Sequence, residues 1–235
     1  MRFAMKESVS SFLGNVLSVI LGIAITFAIQ GLIDRSRDRK DVRHALELVR
    51  MELASNREDI GLVRDYLYQE RASAFFFQKH GDALAQVPED SVSYHSGVLL
   101  ADVSMSLSQD ALSLLKMSSL FQKMGNTPLS MDIIRAYDAC DLVVAHVNRH
   151  LAERNAHFEG TVHEANVGEI TAGGIISVPR FLGTDFGRYA VRWLTAQAAP
   201  DRYTDVSDLD RAIDAIDAFL GKRAECPSRQ STVQP

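Results

Sequence analysis

A chain of 235 residues with 25 Lys/Arg against 30 Asp/Glu is long enough for one ordinary core and too acidic to be organised around nucleic acid. Two cysteines, Cys140 and Cys226, exclude a disulfide framework and leave the redox compartment undecided. The charge is uneven: residues 1–43 carry 7 Lys/Arg against 4 Asp/Glu, and residues 44–235 carry 18 against 26.

Residues 1–11 form a short N-terminal tail. Phe12 to Leu32 follows, 21 residues without a charge. A helix of that length extends roughly 31 Å, close to the thickness of a bilayer's hydrocarbon core, so the run predicts a transmembrane helix. Its apolar part is longer than a signal-peptide h-region and no A-x-A site follows it, which favours an uncleaved anchor. Within the run Gly14, Ser18, Gly22, Thr26 and Gln30 recur every four residues, with Ser11 and Asn15 beside the head of the row. One face is therefore small and hydrogen-bonding, the pattern that lets helix backbones pack closely, and self-association through it is expected. A water-lined pore is the alternative use of the same face.

Arg2 and Lys6 precede the span, and Arg35, Arg37, Arg39, Lys40 and Arg43 follow it. This bias predicts a single-pass protein of the plasma membrane with its main domain in the cytoplasm. The bias is small and a short tail can sit on either face, so a periplasmic domain stays open. Arg35, Arg37, Arg39 and Lys40 are expected to contact lipid head groups.

Residues 33–68 read as a basic juxtamembrane helix that continues the span as a rod. Val42, Leu46, Val49, Leu53, Asn56, Ile60, Val63 and Leu67 alternate spacings of four and three, which is a coiled-coil seam, with Asn56 as the polar residue that fixes register. The same spacing describes a long helix of an intramolecular bundle. The polar face of the span favours the oligomer.

Residues 69–222 read as a helical bundle domain. Helix is expected from Gln69 with a break near Gly81. Phe75, Phe76 and Phe77 cannot share one side, so both sides of that helix are expected to be covered. Pro88–Ser96 reads as a loop. Helices are expected over Leu107–Met124, stopped by Gly125 and Asn126, and from Leu129 to about Phe158. Gly160 to Gly187, with Gly168, Gly173, Gly174, Gly183 and Pro179, reads as irregular, with a brief strand at Ile175–Val178. Phe186–Ala198 is a short helix holding Trp193. A last helix runs from Val206 to Leu220 with Asp205, Asp208, Asp210, Asp214 and Asp217 on its exposed side, packed antiparallel on the start of the bundle or on the juxtamembrane rod. Residues 223–235 read as a disordered tail. The fold class is thus all-α: an anchor helix continuing into a long juxtamembrane helix, then a bundle with one glycine-rich irregular segment.

The stretch from Gly22 to Gln30 (GIAITFAIQ) and the run from Ser108 to Cys140 resemble a class of uncharacterised bacterial single-pass membrane proteins: an anchor of the GIxIxFxIQ type, a charged helix, then a helical domain. Tyr137 is followed by Asp138 where that pattern has a paired aromatic. The resemblance implies architecture and a bacterial inner membrane, and no activity.

Catalytic signatures are absent from the local sequence. Ala172-Gly173-Gly174 has neither a Walker ending nor G-x-G-x-x-G spacing, and no serine sits in a G-x-S-x-G elbow. His146 and His150, one helical turn apart with Glu153 next along, are the one candidate for metal, but HVNRH lacks the glutamate of a zinc protease helix and a site needs further ligands. The expectation is a non-enzymatic, membrane-anchored scaffold or sensing protein that needs no cofactor. Its expected partners are membrane lipid, copies of itself and an unidentified protein, with an oligomeric pore-forming effector as the alternative.

Overall fold

In a computed structural model, the described residues are 2–164 and 185–221, with side chains described for all of these except 2–25, 27–29, 31–32, 82, 159–164 and 185–186. Among them every regular element is a helix and no strand occurs. The predicted strand at Ile175–Val178, most of the glycine-rich segment and the tail 223–235 lie outside the described residues.

Helix α1 (Arg2–His80) is one unbroken element of 79 residues, about 120 Å long at 1.5 Å per residue. It carries the backbone from the charge-free run through the basic segment and the seam, past Gly61, and ends where Gly81 opens a 3-10 turn (Gly81–Gln86). Among the described residues no helix is long and apolar enough to cross a membrane. The side chains of the predicted span, Thr26 and Gln30 excepted, lie outside the described residues.

The other elements are laid along α1. Helix α2 (Glu89–Leu100) returns antiparallel to it, with Tyr66 donating to the Val98 carbonyl and Ser73 meeting His95. This helix replaces the expected loop: Pro88 stands just before its first turn, where a missing N–H costs nothing, and Glu89 and Asp90 suit the positive end of the dipole. Residues 101–109 are then extended. Helices α3 (Asp110–Met117) and α4 (Leu120–Met124) follow in place of the single expected helix, broken at Ser119 in the left-handed region (φ 52°). Helix α5 (Thr127–Glu164) runs parallel to α1 and continues past the expected end near Gly160. Asn126, read as a stop, also heads α5, accepting the Leu129 N–H on its side-chain oxygen at 3.2 Å. Helix α6 (Asp185–Ala196) lies antiparallel on the end of α5, and Gly187, expected in the irregular segment, is buried within it.

Helix α7 (Ser207–Leu220) packs antiparallel on α1, joined by three arginines seven residues apart. Arg43 donates to the Leu220 carbonyl (3.0 Å), Arg50 pairs with Asp217, and Arg57 pairs with Asp210 (2.6 Å). Not every aspartate of α7 faces water, then: Asp217 is buried because its partner reaches it from the rod. The expectation for the phenylalanines also changes. Phe77 is buried and Phe76 half-buried, but Phe75 is exposed beneath the Arg71 guanidinium (5.6 Å to the ring centre).

The main core joins the seam of α1 to the inner faces of α3, α4, α5 and α7. Val42, Leu46, Val49, Leu53, Ile60 and Leu67 are buried against partners such as Leu115, Ile133, Val147 and Ile216, with Val63 half-buried beside them. Of the two readings of this spacing, the long helix of an intramolecular bundle is the one found. The seam is covered by the chain's own helices, which remove its apolar area from water without a second copy. A smaller core under α2 and α6 holds Ala74, Phe77, Leu99 and Leu194.

Candidate functional site

Residues 101–109 thread between α1 and α5 without belonging to any helix or sheet, so their backbone polar groups must be met by side chains. Two asparagines do this in the same way. Asn56 donates to the Ser108 carbonyl (2.9 Å) and accepts the Ser108 N–H (3.1 Å). Asn148 on α5 donates to the Met105 carbonyl (2.8 Å) and accepts the Met105 N–H (2.9 Å). Each amide imitates one rung of a β-ladder, which corrects the role expected of Asn56: it holds this segment rather than a register between chains.

Glu52 secures the far end of the segment. Its carboxylate accepts from Ser108 Oγ (2.6 Å), the Ala111 N–H (3.0 Å) and the Tyr137 hydroxyl. Burial raises the Glu52 carboxyl, but hydrogen bonds from Ser108, Tyr137 and the backbone N–H groups of Ala111 and Asp110 outweigh it and hold the group below its ordinary value. Burial pushes the Tyr137 hydroxyl up, and the Glu52 bond adds to the shift. Cys140, fully buried nearby, is raised to about 11 by burial and by the Asp141 charge.

The near end is secured by Arg154 and Glu70, both almost wholly buried. Arg154 Nη1 donates to Glu70 Oε1 at 2.9 Å and to the Tyr66 hydroxyl. Its Nη2 donates to the Ala101 carbonyl (2.8 Å) and to Asn155 Oδ1 (2.8 Å), and its Nε donates to Asn155 Oδ1 (3.1 Å). All five guanidinium donors are thus spent inside the chain, and none is left for a ligand's phosphate or carboxylate. The second Glu70 oxygen meets His150 Nε2 at 2.6 Å, and the His150 ring stacks on Trp193 (5.4 Å) and lies parallel to Tyr203 (6.3 Å). Burial, with the Glu70 charge second, raises the Tyr66 hydroxyl. Among the described residues no buried side-chain nitrogen or oxygen lacks a partner. The cluster is a filled lock between α1, α2, α5 and α6.

The expected metal pair is divided by this lock. His150 turns inward to Glu70, while His146 and Glu153 stay exposed. Among the described residues no group of three or more His, Cys, Asp or Glu side chains could hold a metal ion.

The predicted head-group residues are divided as well. Arg35, Arg39 and Lys40 line a cavity of about 530 Å³ between α1, α4 and α7, and Arg43 and Lys123 complete its basic wall. Arg37 lies off the cavity. Lys123 and Phe219, which sequence reading passed over, enter only because α4 and α7 are folded against the rod.

Of the row within the span, Thr26 and Gln30 are described and both are exposed; Ser11, Gly14, Asn15, Ser18 and Gly22 lie outside the described side chains. At 100° per residue, Thr26 and Gln30 share a sector of about 60° with Ile33, Leu48, Met51 and Leu62. All four of these apolar residues are exposed, on the side of α1 away from the seam. No family model, curated protein or solved structure matches the chain.

Proposed function

We propose that the protein is a single-pass, membrane-anchored helical scaffold or sensing protein that self-associates along α1. One observation carries the reading: the charge-free run and the central helix of the bundle belong to one continuous helix, so a rotation or tilt of one end is delivered to the other without a joint. The Lys/Arg excess after the run favours a cytoplasmic bundle. Because the seam is covered within the chain, the contact between copies is assigned to the opposite face, where the small polar row continues into Ile33, Leu48, Met51 and Leu62.

The test is oxidative crosslinking of the full chain in membranes, with cysteine placed in turn at Met51, Leu62 and, as a control, the seam residue Leu53. Crosslinked species from Met51→Cys and Leu62→Cys but not from Leu53→Cys are expected. Monomer in every case, with Gly14→Leu and Gly22→Leu changing nothing, removes the self-association reading. Release of entrapped dye from vesicles carrying the same protein would favour a pore over a scaffold.

A further inference from the structure

We propose that the cavity between α1, α4 and α7 is a binding site for the phosphate head group of an anionic phospholipid, an inference that rests on the membrane-anchored reading above. Five cations line it, Arg35, Arg39, Lys40, Arg43 and Lys123, and no carboxylate does. Lys123 is already matched by Asp38 (2.8 Å), and Arg43 is shared between Glu47 (3.7 Å) and the Leu220 carbonyl (3.0 Å). Arg35, Arg39 and Lys40 make no ion pair among the described residues; Asp34, Asp38 and Asp41 lie on the same turns but do not line the cavity, so its wall stays basic.

The floor is apolar. Val42, Met124 and Leu220 are buried there, and half-exposed Phe219 stands at the edge. Such a floor offers apolar contact to the part of a lipid next to its phosphate, while the cations at the open rim stay in reach of the phosphate itself. At about 530 Å³ the space is of the size that encloses a small organic group, larger than a lone phosphate ion needs.

Height selects the source of the phosphate. Arg35 and Arg39 lie three and seven residues past Leu32, the last residue of the charge-free run, which is roughly 5 and 10 Å along the helix axis. The head-group layer is roughly 5–8 Å thick on each side of the hydrocarbon core, so Arg35 lies at its depth and the long Arg39 side chain reaches back toward it from just beyond. Arg37 sits at the same height on the other side of the helix, outside the cavity, so a built site and a diffuse basic belt make different predictions.

The experiment is a titration of the full chain in mixed micelles with phosphatidylglycerol, phosphatidylcholine and water-soluble glycerophosphate, read as bound molecules by native mass measurement. Retention of phosphatidylglycerol at least tenfold over phosphatidylcholine is expected, with glycerophosphate displacing it only at far higher concentration. Arg35→Gln and Arg39→Gln should each weaken it by about fivefold, the amount a cation near an anionic surface contributes. Ser36→Phe, which fills the cavity and leaves the charge unchanged, should abolish selectivity, while Arg37→Gln should change it less than twofold. Equal losses for Arg35→Gln and Arg37→Gln, or no effect of Ser36→Phe, would overturn the site. Glycerophosphate binding as tightly as the lipid would overturn the lipid source. Extraction of the unaltered chain from membranes by alkaline carbonate would instead mark a failure of the anchor, and is measured first.

Discussion

Glu70 and Arg154 meet at 2.9 Å where neither side chain is more than 2% exposed, and they come from helices separated by the whole middle of the sequence. A buried pair of this kind stabilises little against an apolar replacement, but losing one partner strands the other charge.

Arg154→Met should therefore cost about 3–5 kcal/mol and lower the melting temperature by on the order of 10 °C. Glu70→Leu alone should cost a similar amount. The double variant should be more stable than the sum of the two losses predicts, as followed by circular dichroism of the full chain in detergent. Additive losses would show that the two side chains act separately.

The extended segment should open locally when its clamps are cut. Asn148→Ala should speed hydrogen exchange at the Met105 amide by about tenfold or more, leaving the Ser108 amide protected, and Asn56→Ala should do the reverse. Exchange measured by amide NMR or by mass after proteolysis distinguishes the two. Simultaneous release of both amides by either substitution would mean the segment behaves as one cooperative unit.

Glu52 gives the protein an acid-sensitive point. Its carboxyl is lower in the folded chain than its ordinary value of 4.5, so the unfolded chain takes up the proton first as pH falls. The stabilisation is complete above about pH 4.5 and is lost as pH drops through the folded value. Glu52→Gln should thus melt lower than the unaltered protein at pH 7, and the gap should close below about pH 4.5. A gap that does not change with pH would assign the effect to shape alone.

Cys140 should be chemically silent in the folded protein. Complete burial and a thiol raised to about 11 leave roughly one thiolate in a thousand at pH 8. Labelling by a thiol reagent should follow unfolding, with the Cys226→Ser background used so that a single site is read. Rapid modification under native conditions would contradict the packing around α5.

Much of this arrangement was legible in spacing. The seam from Val42 to Leu67 marks the buried stripe of α1, and the three-four pattern of the last helix marks the face it buries. The identity of the covering partner was not legible, because a heptad pattern says that a stripe is buried and not by whom. A sharper signal lay unused. Continued by the same spacing, the seam passes through Glu70, Ala74 and Phe77, and the inner stripe of α5 runs through Ile133, Tyr137, Cys140, Val147, Leu151 and Arg154. One acid and one base at core positions of two helices have to find each other, and they do. The course of residues 101–109 had no such signal, since extended backbone held by asparagine side chains has no periodicity to read. The basic cavity was half visible: Arg35, Arg39 and Lys40 stood out by charge, while Lys123 and Phe219 join them only through tertiary packing.

Arg50 and Asp217 are 167 residues apart, and the stripe they help to close begins just beyond the charge-free run. A ribosome adding about 5–20 residues per second takes roughly 7–30 s to travel from Leu67 to the start of α7 at Ser207. For that interval the seam is complete but uncovered by its last helix, and Arg50 and Arg57 have no aspartate to meet. Synthesis halted before Ser207 would leave an apolar edge of α1 open to water, so the α7 sequence acts as the closing stitch of a garment sewn from the collar down.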